Sequence, residues 1–317
     1  MSIETRRLTP QFGLEILGLD LSSSISEADR KAVMSAWIQG GIVLVRGCAS
    51  AEAHLRLSEC FGKLEPSATK ILNNAISPFL MDLRYDPASQ RAPGTLMRVN
   101  GQDRAGWLGW HWDQSFMPVI VRGAALRMIE PASTAGETGF IDAIDAYARL
   151  PQRLKQAVEG REVIYHFTGA MEKNRFGFPA DLQNLRSDEE MREQETQYVF
   201  EPVVHPLVIT QKETGRKVLK LSPMHAQRIA GMSPDASDDL LRELADHLVN
   251  PAYAYFHKWS ANEVIVWDNW RVIHSAAGVP LDVPRYAQRT TLLGDYGFGR
   301  YLDATRERTD IGATLVD

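Results

Sequence analysis

Apolar runs in this chain are short, and most end on turn-forming residues. From Gly123 onward, "GAALRMIEP", "TGFIDAIDAY", "HPLVIT", "RKVLKLS", "EVIVWDN" and "QRTTLLGD" read as strand-like segments, and "ETGR" (213–216) between two of them is a hairpin signal. Three stretches change to helical spacing. In "SEADRKAVMSAWIQGG", Val33, Ala36 and Trp37 share one helix face, Ser26 with Asp29 forms a capping pattern, and Gly40-Gly41 stops the helix. A second amphipathic helix is predicted from Ala51 to Phe61. A third lies in "SPDASDDLLRELADHLV", with Ser233 as cap and Pro234 in the first turn. "IVLVRG" is a continuous apolar run, the mark of a strand buried on both faces. Residues 66–110 are punctuated by Pro, Gly and Asn and read as loops with short strands. Many short strands, few helices and no βαβ alternation predict a mainly β fold with flanking helices, a sandwich or jelly roll. With neither an internal repeat nor a low-complexity linker, residues 1–317 are expected to form a single domain.

Composition narrows the function classes. The chain is 44% hydrophobic and 24% charged, with a net charge of -5, and Lys and Arg are scattered singly. That balance argues against a nucleic-acid partner, which needs a basic face. The N-terminal "MSIETRRLTPQFGLEILG" has no signal-peptide core and no segment has the length of a membrane span, so a cytoplasmic protein without membrane partners is expected. Cys48 and Cys60, with no CxxC, read as reduced structural thiols rather than a disulfide or zinc–thiolate site.

Candidate chemistry begins at "GWLGWHWDQSF" (106–116). If this stretch is a strand, His111 and Asp113 point to one side and Trp110 and Trp112 to the other, where they would be core. A lone H-x-D is a weak signal and can be a hydrogen-bonded pair. Among the other histidines, His54 falls on a polar helix face and reads as solvated or at the core edge. His274 is different. It sits in "VWDNWRVIHSAAG" and leads into "VPRYAQRTTLLGD", where Arg285 and Arg289 lie four apart on one strand face. Two imidazoles and one carboxylate are the composition of the facial triad that binds Fe(II) and leaves coordination positions open. Zinc remains possible on ligand type, although the H-E-x-x-H spacing is absent. A metal-free or zinc-bound jelly-roll binding protein, without enzymatic activity, is the rival reading.

The combination of H-x-D, a distal His after "WDN" and an Arg about a dozen residues later resembles the taurine/2,4-dichlorophenoxyacetate dioxygenase family. The resemblance extends to "GLEILGLDLS", "GIVLVRG", "FGKLEP", "GETGFIDAIDAYARLP" and "HPLV". It implies a double-stranded β-helix, the cupin-like jelly roll, and an oxygenase that consumes Fe(II)-bound 2-oxoglutarate and O2 and releases succinate and CO2. Carried across residue by residue, it implies His111, Asp113 and His274 as iron ligands. Thr138 in "GETGF" and Arg285 would bind 2-oxoglutarate, and Arg289 an anionic substrate group. Trp107, four residues before His111, would then stand at the pocket wall and favour a small carboxylate or sulfonate with an apolar or aromatic body. The competing role for Arg289 is a structural ion pair with Asp282 or Asp295. Residues 66–110 and 166–200 would supply active-site loops, and the resemblance also implies a homodimer or homotetramer. Hydroxylation, desaturation and oxidative decarboxylation are not separated by the sequence; Asp113 disfavours halogenation, in which halide replaces the carboxylate.

Overall fold

The computed structural model of the chain describes residues 3–66, 74–89, 94–167, 169–187 and 200–307. It is mainly β, with five α-helices among those residues. Near the N-terminus the local signals translate directly into structure. Ser26 Oγ accepts the Asp29 N–H at 3.1 Å, and Gly41 closes helix Glu27–Gly40 at φ +76°, a left-handed conformation that glycine adopts without a Cβ clash. The next strand, Ile42–Val45, is buried along its whole length.

The double burial has a simple cause. Ile42–Val45 lies inside an eight-stranded sheet, between Leu14–Leu17 and Val264–Asp268. Beyond Val264–Asp268 the sheet continues through Gly123–Glu130 and Arg285–Leu292. Val43 and Val45 pack outward on Val33, Trp37 and Leu57 of the first two helices. Ile42 and Leu44 face inward with Leu126, Met128, Ile265, Trp267 and Ala287. Against that inner face come Phe140 and Val272 of a six-stranded sheet. Its central members are Gln102–His111, Val272–Val279 and Thr138–Asp142. The site lies between these two layers.

A second core, beside the sandwich, is enclosed by the long helix Pro234–Leu248 and a four-stranded sheet that includes Glu162–Tyr165 and Val203–Pro206. Trp112 belongs to it, 1% exposed. The "ETGR" turn joins Val208–Thr210 to Lys217–Leu219 as an antiparallel hairpin. No helix of the described residues is long and apolar enough to cross a membrane.

Four expectations need correction. "TGFIDAIDAY" is not one strand: Thr138–Asp142 is a strand, and Asp142 Oδ1 then accepts the Ile144 N–H at 3.0 Å and starts helix Ala143–Arg149. The same carboxylate receives both arms of Arg271, at 2.8 and 2.6 Å. The second helix ends at Ser58 rather than Phe61. Residues 66–110 do hold short strands, Met81–Tyr85 and Leu96–Val99, but their end is not loop: it belongs to the ten-residue strand Gln102–His111; positions 67–73 and 90–93 lie outside the described residues. His54 is not solvated but fully buried, and burial pushes its imidazole down to about 3. Its helix face looks polar in sequence because Ser58 lies one turn on, yet Ser58 Oγ is satisfied internally by His54 O and Thr290 Oγ1, at 2.8 and 2.7 Å.

Candidate active site

His111 is the last residue of strand Gln102–His111 and stands directly opposite His274 on Val272–Val279. Antiparallel pairing therefore brings two imidazoles together from distant parts of the chain, with ring centroids 4.2 Å apart. Asp113 does not arrive by strand alternation, because the strand has already ended. It lies in the following turn and is held there by Asn269, itself fully buried. The Asp113 N–H donates to Asn269 Oδ1 at 2.7 Å, and Asn269 Nδ2 donates to the carbonyls of Asp113 and Val121, each at 3.1 Å. So clamped, Asp113 Oδ1 lies 3.9 Å from His111 Nε2 and 3.6 Å from His274 Nε2. One donor atom from each of the three residues falls within 4.8 Å of the others, the single such cluster found among the described residues.

The donors are in the protonation states a metal requires. Burial lowers both imidazoles from their usual range, for His111 against the opposing pull of Asp113 and for His274 with the help of His111. Burial by itself would raise the Asp113 carboxyl, but the Arg289 guanidinium beside it holds it below the usual carboxylate range. His111 Nδ1 sits 2.7 Å from the carbonyl of Gly109, which places the proton on Nδ1 and leaves the Nε2 lone pair facing the cluster. Asp113 Oδ2 and His274 Nδ1 are buried without an aligned hydrogen-bond partner. A neutral imidazole pair and an ionised carboxylate in a desolvated cluster fit a divalent cation.

His111 and His274 line a cavity of about 230 Å³ that is also lined by Thr138, Trp267, Arg285 and Arg289. The two arginines come from strand Arg285–Leu292 of the opposite sheet, two turns of the pleat apart and on one face as their spacing predicts. The Arg285 guanidinium makes no ion pair or hydrogen bond among the described residues, and burial brings it down to about 10. Arg289 Nη2 lies 2.8 Å from Asp113 Oδ2, so its acidic partner is the candidate metal ligand and neither Asp282 nor Asp295. Its Nε is buried without a partner, and its guanidinium lies 5.5 Å over the Trp267 ring. Thr138 Oγ1 accepts a hydrogen bond from Trp259 Nε1 at 3.0 Å.

Trp107 is placed elsewhere. It shares a larger cavity, about 680 Å³, with Phe178 and Trp110 on the other face of the ligand strand, and it packs edge-on against Phe178. The even spacing from Trp107 to His111 suggests a shared face, but the register shifts between them. His274 pairs with His111, whereas Ala276 pairs with Leu108, so one strand spends three residues where its neighbour spends two. This bulge exchanges the two faces upstream of it and turns Leu108, not Trp107, toward the cavity of the imidazoles. Segments 66–110 and 166–200 differ in their contribution. Leu83, Tyr85, Thr95 and Gly106 of the first line that cavity, whereas none of the described residues of the second does; positions 168 and 188–199 lie outside the described residues.

Sequence reasoning missed three supporting residues. Asn269 stands in the quoted "WDN", and a buried amide after an apolar run was the available hint. Lys220, 2% exposed, donates from Nζ to the Asn269 carbonyl at 2.8 Å and lies 4.0 Å from the Trp112 ring centroid; nothing local marks it. Trp259 likewise sits in an irregular segment with no periodic signal.

Known proteins resemble this chain in sequence and in fold. The model of the family described as taurine catabolism dioxygenase TauD, TfdA family matches residues 4–291. An alpha-ketoglutarate-dependent 2,4-dichlorophenoxyacetate dioxygenase of Burkholderia sp. (strain RASC) is 27% identical, covering 93% of this chain and 95% of that protein. An alkylsulfatase of Acinetobacter baylyi is 27% identical over 94% of this chain and 87% of its own length. The crystal structure of AAD-2 in complex with Mn(II) and N-oxalylglycine superposes with a TM-score of 0.70 at 25% identity, covering 94% of this chain and 100% of the other. With its His111–Asp113–His274 triad, the chain belongs to the TauD, TfdA family of alpha-ketoglutarate (2-oxoglutarate)-dependent dioxygenases.

Proposed function

We propose that the metal is ferrous iron and that the enzyme hydroxylates a small organic anion, a carboxylate or sulfonate or a sulfate ester. The two packed sheets are read as a double-stranded β-helix, a reading supported by the antiparallel ladders and by the core shared between their inner faces. His111, Asp113 and His274 would hold the iron, beside which 2-oxoglutarate and O2 would react. When bound, the iron supplies the oxidising chemistry, coupling decarboxylation of 2-oxoglutarate to succinate and CO2 with oxidation of a C–H bond.

The protein's residues bind and orient. Arg285 presents a planar fork to the distal carboxylate of 2-oxoglutarate, and Thr138 adds a hydroxyl in the same cavity. Arg289 faces the prime substrate. The observation that carries the anionic-substrate reading is Arg289 itself, which lines the cavity while only one of its nitrogens, Nη2, is engaged by Asp113: a guanidinium satisfied on one side keeps donors for a second anion. The names of the relatives, a dioxygenase of an aryloxyacetate and an alkylsulfatase, fit organic anions. Trp107 has no contact with this cavity, so the apolar wall for the substrate's body falls to Leu108, Leu126 and Trp267.

The test is a matched pair, an aryloxy or alkyl acid and its neutral amide, scored by succinate release with the wild type and Arg289→Ala. The acid should be preferred by wild type and the preference lost in the variant. Equal turnover of acid and amide by the wild type refutes the anionic-substrate reading.

A further inference from the structure

We infer that Trp259 is a positioning residue for 2-oxoglutarate, acting through Thr138 by occupying an acceptor site of its hydroxyl and leaving the hydroxyl proton for the cosubstrate. The inference rests on the reading that Thr138 meets the distal carboxylate, and it adds the reason that Thr138 can serve as a donor there.

A threonine hydroxyl has one proton and two lone pairs, so unaided it can face an anion or a donor equally. An indole N–H can only donate. Trp259 Nε1 lies 3.0 Å from Thr138 Oγ1, in a geometry that directs its hydrogen onto the oxygen. One lone pair is thereby taken, and no acceptor for the Thr138 proton is found among the described residues. Thr138 is 5% exposed and opens on the same cavity as the unpaired Arg285, so the free proton and the free guanidinium share one space. The side chain is β-branched and sits in a strand paired on both sides, with Ala276 and with His257, which fixes where its oxygen points.

Trp259 is held in turn. Its ring meets the His257 ring edge-on with centroids 4.6 Å apart. His257 is fixed by Glu263 Oε2 at 2.9 Å on one nitrogen and by the Tyr255 hydroxyl at 2.8 Å on the other. The strand pairing that puts His257 beside Thr138 also sets the tryptophan two residues later over the threonine oxygen. A fixed donor lowers the ordering needed when the carboxylate arrives, which is where preorganisation gains affinity.

The experiment is a double-mutant cycle on the Mn(II)-loaded protein, with 2-oxoglutarate affinity read by titration calorimetry. Trp259→Phe keeps a ring and removes the N–H. It should weaken 2-oxoglutarate about three- to tenfold, as expected for one neutral hydrogen bond. In a Thr138→Val background the same change should do nothing further. Trp259→His, which can again present an N–H, should recover part of the loss, and it serves as the readable variant if the phenylalanine protein does not fold. An equal effect of Trp259→Phe in both backgrounds overturns the inference and leaves Thr138 as a contact. No effect of Thr138→Val on its own overturns the reading of Thr138, and the inference with it.

Discussion

Arg285 is the residue whose removal separates binding from folding most cleanly. It carries a positive charge into the cavity with no acidic partner among the described residues, so in the ligand-free protein it is a cost. Moving the guanidinium from its ordinary 12.5 to about 10 corresponds to about 3 kcal/mol, at ~1.4 kcal/mol for each tenfold change in proton affinity. Arg285 is only partly buried, and solvent screening reduces this to about 1–3 kcal/mol. The sign follows from the direction: the folded state disfavours the charged form, so the cost is fully present at neutral pH and is relieved only as pH rises above about 10. Arg285→Met should therefore raise the melting temperature of the metal-free protein, by about 2–4 °C for each kcal/mol regained. Binding should move the other way. Leaving the cosubstrate carboxylate unpaired costs about 2–5 kcal/mol, a loss of roughly thirtyfold or more in 2-oxoglutarate affinity. The assays are thermal melting without ligand and calorimetric titration of 2-oxoglutarate into the Mn(II) form. A variant that melts several degrees lower would show that Arg285 holds the fold together, and the argument from an unpaired charge would be wrong. Unchanged affinity would assign the carboxylate to another residue.

Two further outcomes follow from the site and the core. His111→Ala or His274→Ala should abolish Mn(II) binding, followed by the paramagnetic signal of the free ion, while the metal-free melting temperature changes by only a few degrees, because an open site contributes little to folding. Asp113→Ala should also strand Arg289 without its partner, so it alone of the three should lower metal-free stability, by about 2–4 kcal/mol in urea titrations. His54, held neutral down to about pH 3 by burial, makes stability fall as pH drops below the unfolded value of 6.5, because only the unfolded chain takes up the proton. His54→Leu should flatten the stability–pH slope between 6 and 4 by about 1.4 kcal/mol per pH unit, and an unaltered slope would mean that His54 is hydrated in the native state.

How much of this was legible varies with the range of the interaction that decides it. Ser26, Gly41 and the run from Ile42 to Val45 respond to neighbours within a few residues, and their structure follows from sequence directly. The triad was legible as a composition, because residue type limits which side chains can bind iron. Its assembly was not: Asp113 depends on Asn269, 156 residues away, rather than on strand alternation. Alternation also failed for Trp107, since a single extra residue in the ligand strand reverses every assignment before it. His54 failed for a related reason. A histidine one turn from a serine looks solvated until the sheet beneath its helix is known. Trp259 and Lys220 act across sheets or through a backbone carbonyl, and no spacing rule reaches them.

The cavity is divided between the two layers of the sandwich. The imidazoles and Thr138 belong to one sheet, and both arginines to the other. Between them stands Trp267, 4.8 Å from the His274 ring centroid on one side and beneath Arg289 on the other, and it packs in turn on Phe140. If the triad holds the metal and the arginines meet anions as proposed, the gap between them is a spacing between layers, set by the girth of the side chains wedged there. Changing the volume at Phe140 or Trp267 would retune the length of acid that spans from guanidinium to metal, with every chemically active group left in place. Substrate size can thus drift through the hydrophobic filling of this fold, and two enzymes with identical polar constellations can measure out different molecules.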